Sequence, residues 1–222
     1  VGIVNAAQQL GDVYRRERRF DDAAKHFDRA LEVSQEFGPW IGIINALDGL
    51  GEVRLLQRRL DAALASYSQA NTQCEERGYL RGQAHAVHGL GRCAAADENW
   101  ALSTQHHRSA LAMYRQLGDQ PSATNALAAI ARAAEQVGDL DGMVTARLES
   151  VDAIEIMRAA QDRHDYQQEF QHRYAAVYSD GLDAAVRAGD SAARLRRPRT
   201  SSCPPGQLDF FGAPTANPPE TK

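Results

Sequence analysis

The chain has 222 residues, a net charge of −4 and an apolar fraction of 43%. This fraction is close to the roughly 45–50% typical of folded soluble chains, so most of the chain should fold. The slightly acidic balance gives no reason to expect general binding to nucleic acid or to a membrane surface. No apolar run approaches the roughly 20 residues that span a bilayer. We therefore expect neither nucleic acid nor membrane as a direct partner.

Short motifs recur at a step of 40 residues, and several series share one register. A period of about 20 to 50 residues is typical of a solenoid, in which stacked units share a continuous core. We predict an all-α fold, a right-handed α-solenoid of antiparallel helix pairs, with four units at residues 1–38, 39–78, 79–118 and 119–160. The recurring positions are Leu10-Gly11, Leu50-Gly51 and Leu90-Gly91; Gly38, Gly78 and Gly118; and Phe20, Leu60, Trp100 and Leu140.

The first helix of unit one is predicted from Val1 to about Arg18, with its apolar residues at helical spacing. Its Gly2 corresponds to Gly42 one period later. Ile3 and Val4 should face outward, because no earlier unit covers them and solenoid ends normally need a polar cap. These features favour a fragment of a longer protein. A start at a non-standard codon is the alternative.

Asp21-Asp22 opens the second helix, where carboxylates suit the positive end of the helix dipole. We expect Gly38 to stop this helix in the left-handed conformation and Pro39 to prevent its continuation. In unit four, Pro121 fits the first turn of a helix. No glycine stands at Arg158, so the last helix of unit four should run on to about Ala160.

Beyond the four units, residues 161–189 are predicted to form an amphipathic helix that caps the stack. Residues 190–222 are rich in Arg and Pro and should be disordered, since they cannot bury enough surface to offset their ordering entropy. Within this tail, Gln207–Gly212 resembles the peptide with which bacterial replication and repair proteins bind the sliding clamp. A chance match is the alternative, because so short a pattern is weak evidence.

The units resemble tetratricopeptide repeats, in which Leu-Gly and an aromatic residue mark the first helix and Ala, an aromatic residue and Ala mark the second. The period of 40 is longer than the usual 34 and resembles the long-repeat type of bacterial regulators and cargo adaptors. The stretch Ile154–Arg158, together with a Tyr/Phe-rich helix that ends near Gly189-Asp190, is also similar to the connector in bacterial proteins that carry a caspase-like CHAT peptidase domain, although this sequence contains no such domain. The matching positions are Leu10, Gly11, Tyr14, Ala23, Phe27 and Ala30; then Leu50, Gly51, Arg54, Ala63, Tyr67 and Ala70; then Leu90, Gly91, Ala94, Ser103, His107 and Ala110.

The resemblance implies that the first helices line a concave groove that holds peptides. An asparagine amide both donates and accepts hydrogen bonds, so the row Asn5, Asn45 and Asn125, with His85 in the third slot, could bind a peptide backbone. Solvated polar positions are the alternative. The groove also changes from acidic to basic residues along its length, which would orient a charged peptide. The implied groove residues are Asn5, Asp12, Asn45, Asp48, Glu52, His85, His88, Arg92, Asn125 and Arg132, with Gln8, Arg15, Leu55, Ala128 and Glu135 on the same face.

His85 and His88 lie three residues apart, like some metal ligands, but Cys93 should face elsewhere and no third ligand is evident. We therefore expect a solvated or groove-lining pair, and no site from the adjacent His106 and His107. No hydrolase, phosphate-loop or zinc-protease motif occurs, so we predict no enzyme activity, metal or cofactor. Cysteines without close spacing point to reduced thiols and a cytoplasmic setting. The predicted function is binding of a peptide or protein; a regulatory module of a larger bacterial signalling protein or CHAT-type peptidase is the alternative.

Overall fold

The computed structural model describes residues 2–159 and 167–187. Within these ranges the backbone forms nine α-helices, and the predicted all-α solenoid of antiparallel helix pairs is confirmed. The predicted tail and its Gln207–Phe211 motif lie outside the described residues. The helices are α1 (Gly2–Arg16), α2 (Phe20–Phe37), α3 (Trp40–Leu56), α4 (Leu60–Glu76), α5 (Leu80–Ala96), α6 (Trp100–Gln116), α7 (Gln120–Gln136), α8 (Leu140–Ala159) and α9 (Gln167–Arg187).

The helices pack in chain order, each against the next. In addition, α1 contacts α3, α3 contacts α5, and α5 contacts α7. The even-numbered helices make no such contacts with one another in the described part of the chain. Helices α1, α3, α5 and α7 therefore lie on the inner side of a curved array, and α2, α4, α6 and α8 on its outer side. None of the described helices is long and apolar enough to span a bilayer.

One aromatic ring joins unit one to unit two, and another joins unit two to unit three. The ring of Phe27 on α2 lies against Gly11 of its own unit and Gly49 of the following one; a Cβ at either glycine would come within 2.8 Å or 2.5 Å of the ring. The ring of Tyr67 lies in the same way against Gly51 and Gly89, with corresponding distances of 2.7 Å and 2.3 Å. Only glycine leaves room for these rings, which explains the glycines within helices that otherwise favour larger residues.

The turns within the units place a residue with positive φ at the same register, at Arg18, Arg58 and Glu98 with φ of 62°, 62° and 58°. Between units, Gly78 and Gly118 are left-handed. The expectation for Gly38 is wrong, because its φ of −100° and ψ of 169° are extended. Pro39 explains the difference, since a residue before proline is pushed towards the β region.

The face of α1 that carries Leu10 and Val13 is exposed, whereas the equivalent face of α3 is covered by α2. Leu10 and Val13 are 45% and 47% exposed, whereas Leu50 and Val53, one period later, are fully buried at 0%. Ile3 is exposed as expected, but the expectation for Val4 is wrong: it is buried, and its Cγ1 lies 3.1 Å from a Cβ built on Gly42. Val4 is buried because its side of α1 faces α3.

At the other end, α8 extends to Ala159, as the missing glycine predicts. Helix α9 packs on α8. Gly181 is in close contact with Val151, where a Cβ would lie 2.8 Å from the valine. The hydroxyl of Tyr178 donates a hydrogen bond to Glu155. The apolar end of α8 is thus partly covered by α9.

Candidate peptide-binding surface

All ten predicted groove residues lie on α1, α3, α5 and α7. We call the solvent-facing side of these helices that carries Asn5, Asn45, His85 and Asn125 the inner surface. These four residues are exposed, and each lies 40 residues from its equivalent in the next unit. The asparagine amides make no hydrogen bonds within the described part of the chain, so they remain available to a ligand. His85 differs, because its Nδ1 lies 3.2 Å from the hydroxyl of the buried Tyr114.

A charged pair links units two and three on the inner surface. Arg92 donates two hydrogen bonds to Glu52, from Nη1 to Oε2 and from Nη2 to Oε1, the second at 3.1 Å. The hydroxyl of Tyr67 also donates to Oε2 of Glu52, at 3.4 Å. Burial alone would raise the pKa of Glu52, but the hydrogen bond and charge of Arg92 outweigh it and the pKa is lowered. Glu52 and Arg92 therefore largely neutralise each other, and neither offers an unpaired charge to a partner.

The charges of unit one are also paired. Arg15 donates to Asp12 at 3.1 Å across one helical turn. Beside them, Gln8 donates from Nε2 to the carbonyl of Gly42 at 3.0 Å and so ties α1 to the start of α3. These two contacts engage three polar residues at this end of the inner surface. They leave Asn5 as the exposed amide.

Asp48 and Arg132 differ from the other predicted charges, because neither has a hydrogen bond or ion pair within residues 2–159 and 167–187. Asp48 is largely buried on α3, and burial raises the pKa of its carboxyl group. The charges of His85, Arg92 and Arg15 favour its ionised form and that of Glu52 opposes it, and none of the four groups bonds to Asp48. Arg132 is exposed on α7. The inner surface thus has one unpaired acidic residue in unit two and one unpaired basic residue in unit four.

His88 does not belong to a solvated pair with His85. Its Nδ1 lies 3.2 Å from Nδ1 of His107, a fully buried residue of α6, and the two ring centroids are 4.6 Å apart. Burial, reinforced by the charges of Arg92 and Arg132, lowers the pKa of His88 to about 4 and that of His107 to about 3. Both rings are therefore neutral near pH 7, and the Nδ1–H of one donates a hydrogen bond to Nδ1 of the other.

Sequence reasoning missed the role of His107 at this surface, although the signal was present. His107 stands in the register of Phe27 and Tyr67, and like those rings it packs against the glycine of its own unit, Gly91. Cys93, as expected, faces elsewhere and is buried beside Tyr67. No group of three His, Cys, Asp or Glu residues among the described residues is arranged to hold a metal ion.

Comparison with protein families gives one match: residues 3–75 fit the family model described as a tetratricopeptide repeat. A search of curated proteins finds no significant match.

Solved structures with a similar fold are numerous. The apo form of RapI superposes with a TM-score of 0.65 at 12% identity, over 85% of this chain and 67% of that one. A Rap protein complexed with Competence and Sporulation Factor superposes with a TM-score of 0.59 at 17% identity, over 86% of this chain and 56% of that one. A putative kinesin light chain with nearly identical TPR-like repeats, from Podospora anserina, superposes with a TM-score of 0.59 at 12% identity, over 87% of this chain and 97% of that one. At these identities the likeness concerns the fold alone.

Proposed function

We propose that this chain is a tetratricopeptide-like binding scaffold that holds an extended peptide or protein segment along its inner surface. The observation that supports this most is the row formed by Asn5, Asn45 and Asn125, which is exposed and has no hydrogen-bond partner in the described part of the chain. Amides at the same position of successive inner helices suit a backbone that runs across those helices. An extended chain presents alternating N–H and C=O groups, which such amides can bind whatever the side chains are.

The Rap protein of similar fold was solved in complex with Competence and Sporulation Factor. The existence of that complex is consistent with our proposal. Our chain spans 56% of that protein, so only the array, not the activity of the whole protein, enters the comparison.

The test is the double variant Asn45→Ala with Asn125→Ala. We expect it to lose capture of peptides from a displayed random library by about tenfold, since two hydrogen-bonding positions are removed. Its helical circular dichroism should remain unchanged, because both side chains are exposed. The matched control is Gln69→Ala with Gln105→Ala, which removes two exposed amides from the outer helices α4 and α6. Equal capture by both double variants would refute the inner surface as the binding site.

The second candidate is a regulatory module of a larger bacterial signalling protein or CHAT-type peptidase, in which the array transmits a signal. Only the similarity of Ile154–Arg158 to the CHAT connector favours it. The coding sequence on either side of this chain tests it, because an in-frame ATPase, DNA-binding or peptidase domain would support the regulatory role. In both cases we assign no catalysis to this chain. The free, buried thiols of Cys74 and Cys93 favour a reducing compartment such as the cytoplasm.

A further inference from the structure

The charged residues of the inner surface are distributed unevenly once their pairing is known. Most neutralise one another: Asp12 with Arg15 and Glu52 with Arg92. Farther along, Glu135 lies 3.5 Å from Arg147 of α8.

Asp48 is the one inner-surface carboxylate among those named here that receives no hydrogen bond from the described residues, and it lies in the middle of α3. Burial works against its charged form, because a buried carboxylate without donors loses the hydration that would stabilise it. A donor or cation supplied by a ligand would remove that penalty. The nearest amide on the same face is Asn45, one helical turn away.

Arg132 lies at the other end of this arrangement, on α7. It shares a face with Asn125, seven residues earlier, which is two helical turns. Its charge acts on the neutral His88 and His107, which offer it no counter-charge. A carboxylate is the natural partner for an exposed guanidinium group, because the two can form paired hydrogen bonds.

The separation of the two groups follows from helix packing. Neighbouring helices lie about 8–10 Å apart, and α3 and α7 are separated by two such steps, through α5. The distance is therefore roughly 16–20 Å. An extended chain covers about 3.3–3.6 Å per residue, so about five or six residues span it.

Resting on the proposed function, we infer that the inner surface selects an extended segment with a basic residue at Asp48 and an acidic residue at Arg132, about six positions apart. Specificity for charge order then comes from these two residues, and the asparagine row supplies affinity that does not depend on sequence. The Glu52–Arg92 pair lies between the two ends and holds the inner surface together.

The experiment uses an array of dodecamer peptides on an Ala/Ser background. Each peptide carries one Lys and one Glu, in both orders and with spacings from one to ten; a second panel holds random sequences. We expect the full chain to prefer spacings near six and one of the two orders by about tenfold over close spacings. Asp48→Asn should abolish the preference for Lys but not for Glu, and Arg132→Gln should do the reverse.

The matched controls are Asp61→Asn on α4 and Arg108→Gln on α6, both exposed on outer helices, and they should leave the preference unchanged. Random peptides that bind through Asn45 and Asn125 without a charge pattern would overturn this inference and leave the scaffold function intact. Binding of neither panel to the wild-type chain would count against both. A spacing preference that survives Asp48→Asn and Arg132→Gln would overturn the assignment of these two residues.

Discussion

The position of the Tyr67 ring between two glycines predicts that Gly89→Ala destabilises the protein, although alanine is the better helix former. A Cβ at Gly89 would lie 2.3 Å from Cε1 of Tyr67, whereas ordinary contacts begin near 3.4 Å. The ring would have to retreat by about 1.1 Å. It cannot do so freely, because its other side already touches Gly51, where a Cβ would lie 2.7 Å away.

The expected cost is the difference between two terms. Overfilling a packed site costs about 1–3 kcal/mol, and the large displacement places this case near the upper end. Replacing glycine by alanine within a helix stabilises the helix by about 1 kcal/mol. The net loss should be about 2 kcal/mol, equivalent to a fall in Tm of roughly 4–8 °C for a chain of this size.

Thermal and urea unfolding followed by circular dichroism measure this effect. The control is Gly2→Ala, because a Cβ at Gly2 meets nothing within 4 Å, so its stability should be unchanged or slightly higher. A second arm combines Gly89→Ala with Tyr67→His, which reproduces the pairing of His107 with Ala129 one period later. We expect a double-mutant cycle to show favourable coupling. A Gly89→Ala protein as stable as wild type would refute the reasoning.

Two further predictions concern the inner surface. Glu52→Gln should lower the free energy of unfolding by about 1–2 kcal/mol at pH 7, less than for a fully buried pair because Arg92 is about one third exposed. Because the folded-state pKa of Glu52 is lowered, the difference from wild type should shrink below about pH 4.5 in urea titrations. Glu52→Gln combined with Arg92→Gln should recover part of the loss. The free energy of unfolding of the wild-type protein should also fall by about 1–2 kcal/mol from pH 6.5 to 5.5. In this range His88 and His107 bind protons in the unfolded chain but not in the folded protein, where their pKa values are about 4 and 3. His107→Phe should flatten this slope; an unchanged slope in His107→Phe would contradict the assignment.

The helix pairs could be predicted from the sequence because the 40-residue period and the helical spacing repeat over four units. Local chemistry that interrupts the period was harder to anticipate. Gly38 shares a register with Gly78 and Gly118, yet Pro39 forces it into an extended conformation. Val4 was assigned to the wrong side of α1, because the sequence shows an apolar residue but not which neighbouring helix it meets.

The inner surface could likewise be predicted only in part from the sequence. The register of Asn5, Asn45 and Asn125 could be read from the sequence, and the structure places all three on exposed positions of inner helices. Which charges remain available depends on side-chain pairing between units. Asp48 and Glu52 look alike in the sequence, but only Glu52 accepts hydrogen bonds from Arg92. The partnership of His88 with His107 likewise crosses from one helix to the next: the register places His107 among the packed rings but does not show that it meets His88.

Each linking ring needs a glycine from its own unit and another from the unit that follows. Phe27 requires both Gly11 and Gly49, and Tyr67 requires both Gly51 and Gly89. A hairpin transplanted alone into another array would therefore meet a neighbour with the wrong surface. The segment to transfer in recombination or protein engineering is therefore the second helix of one unit together with the first helix of the next unit.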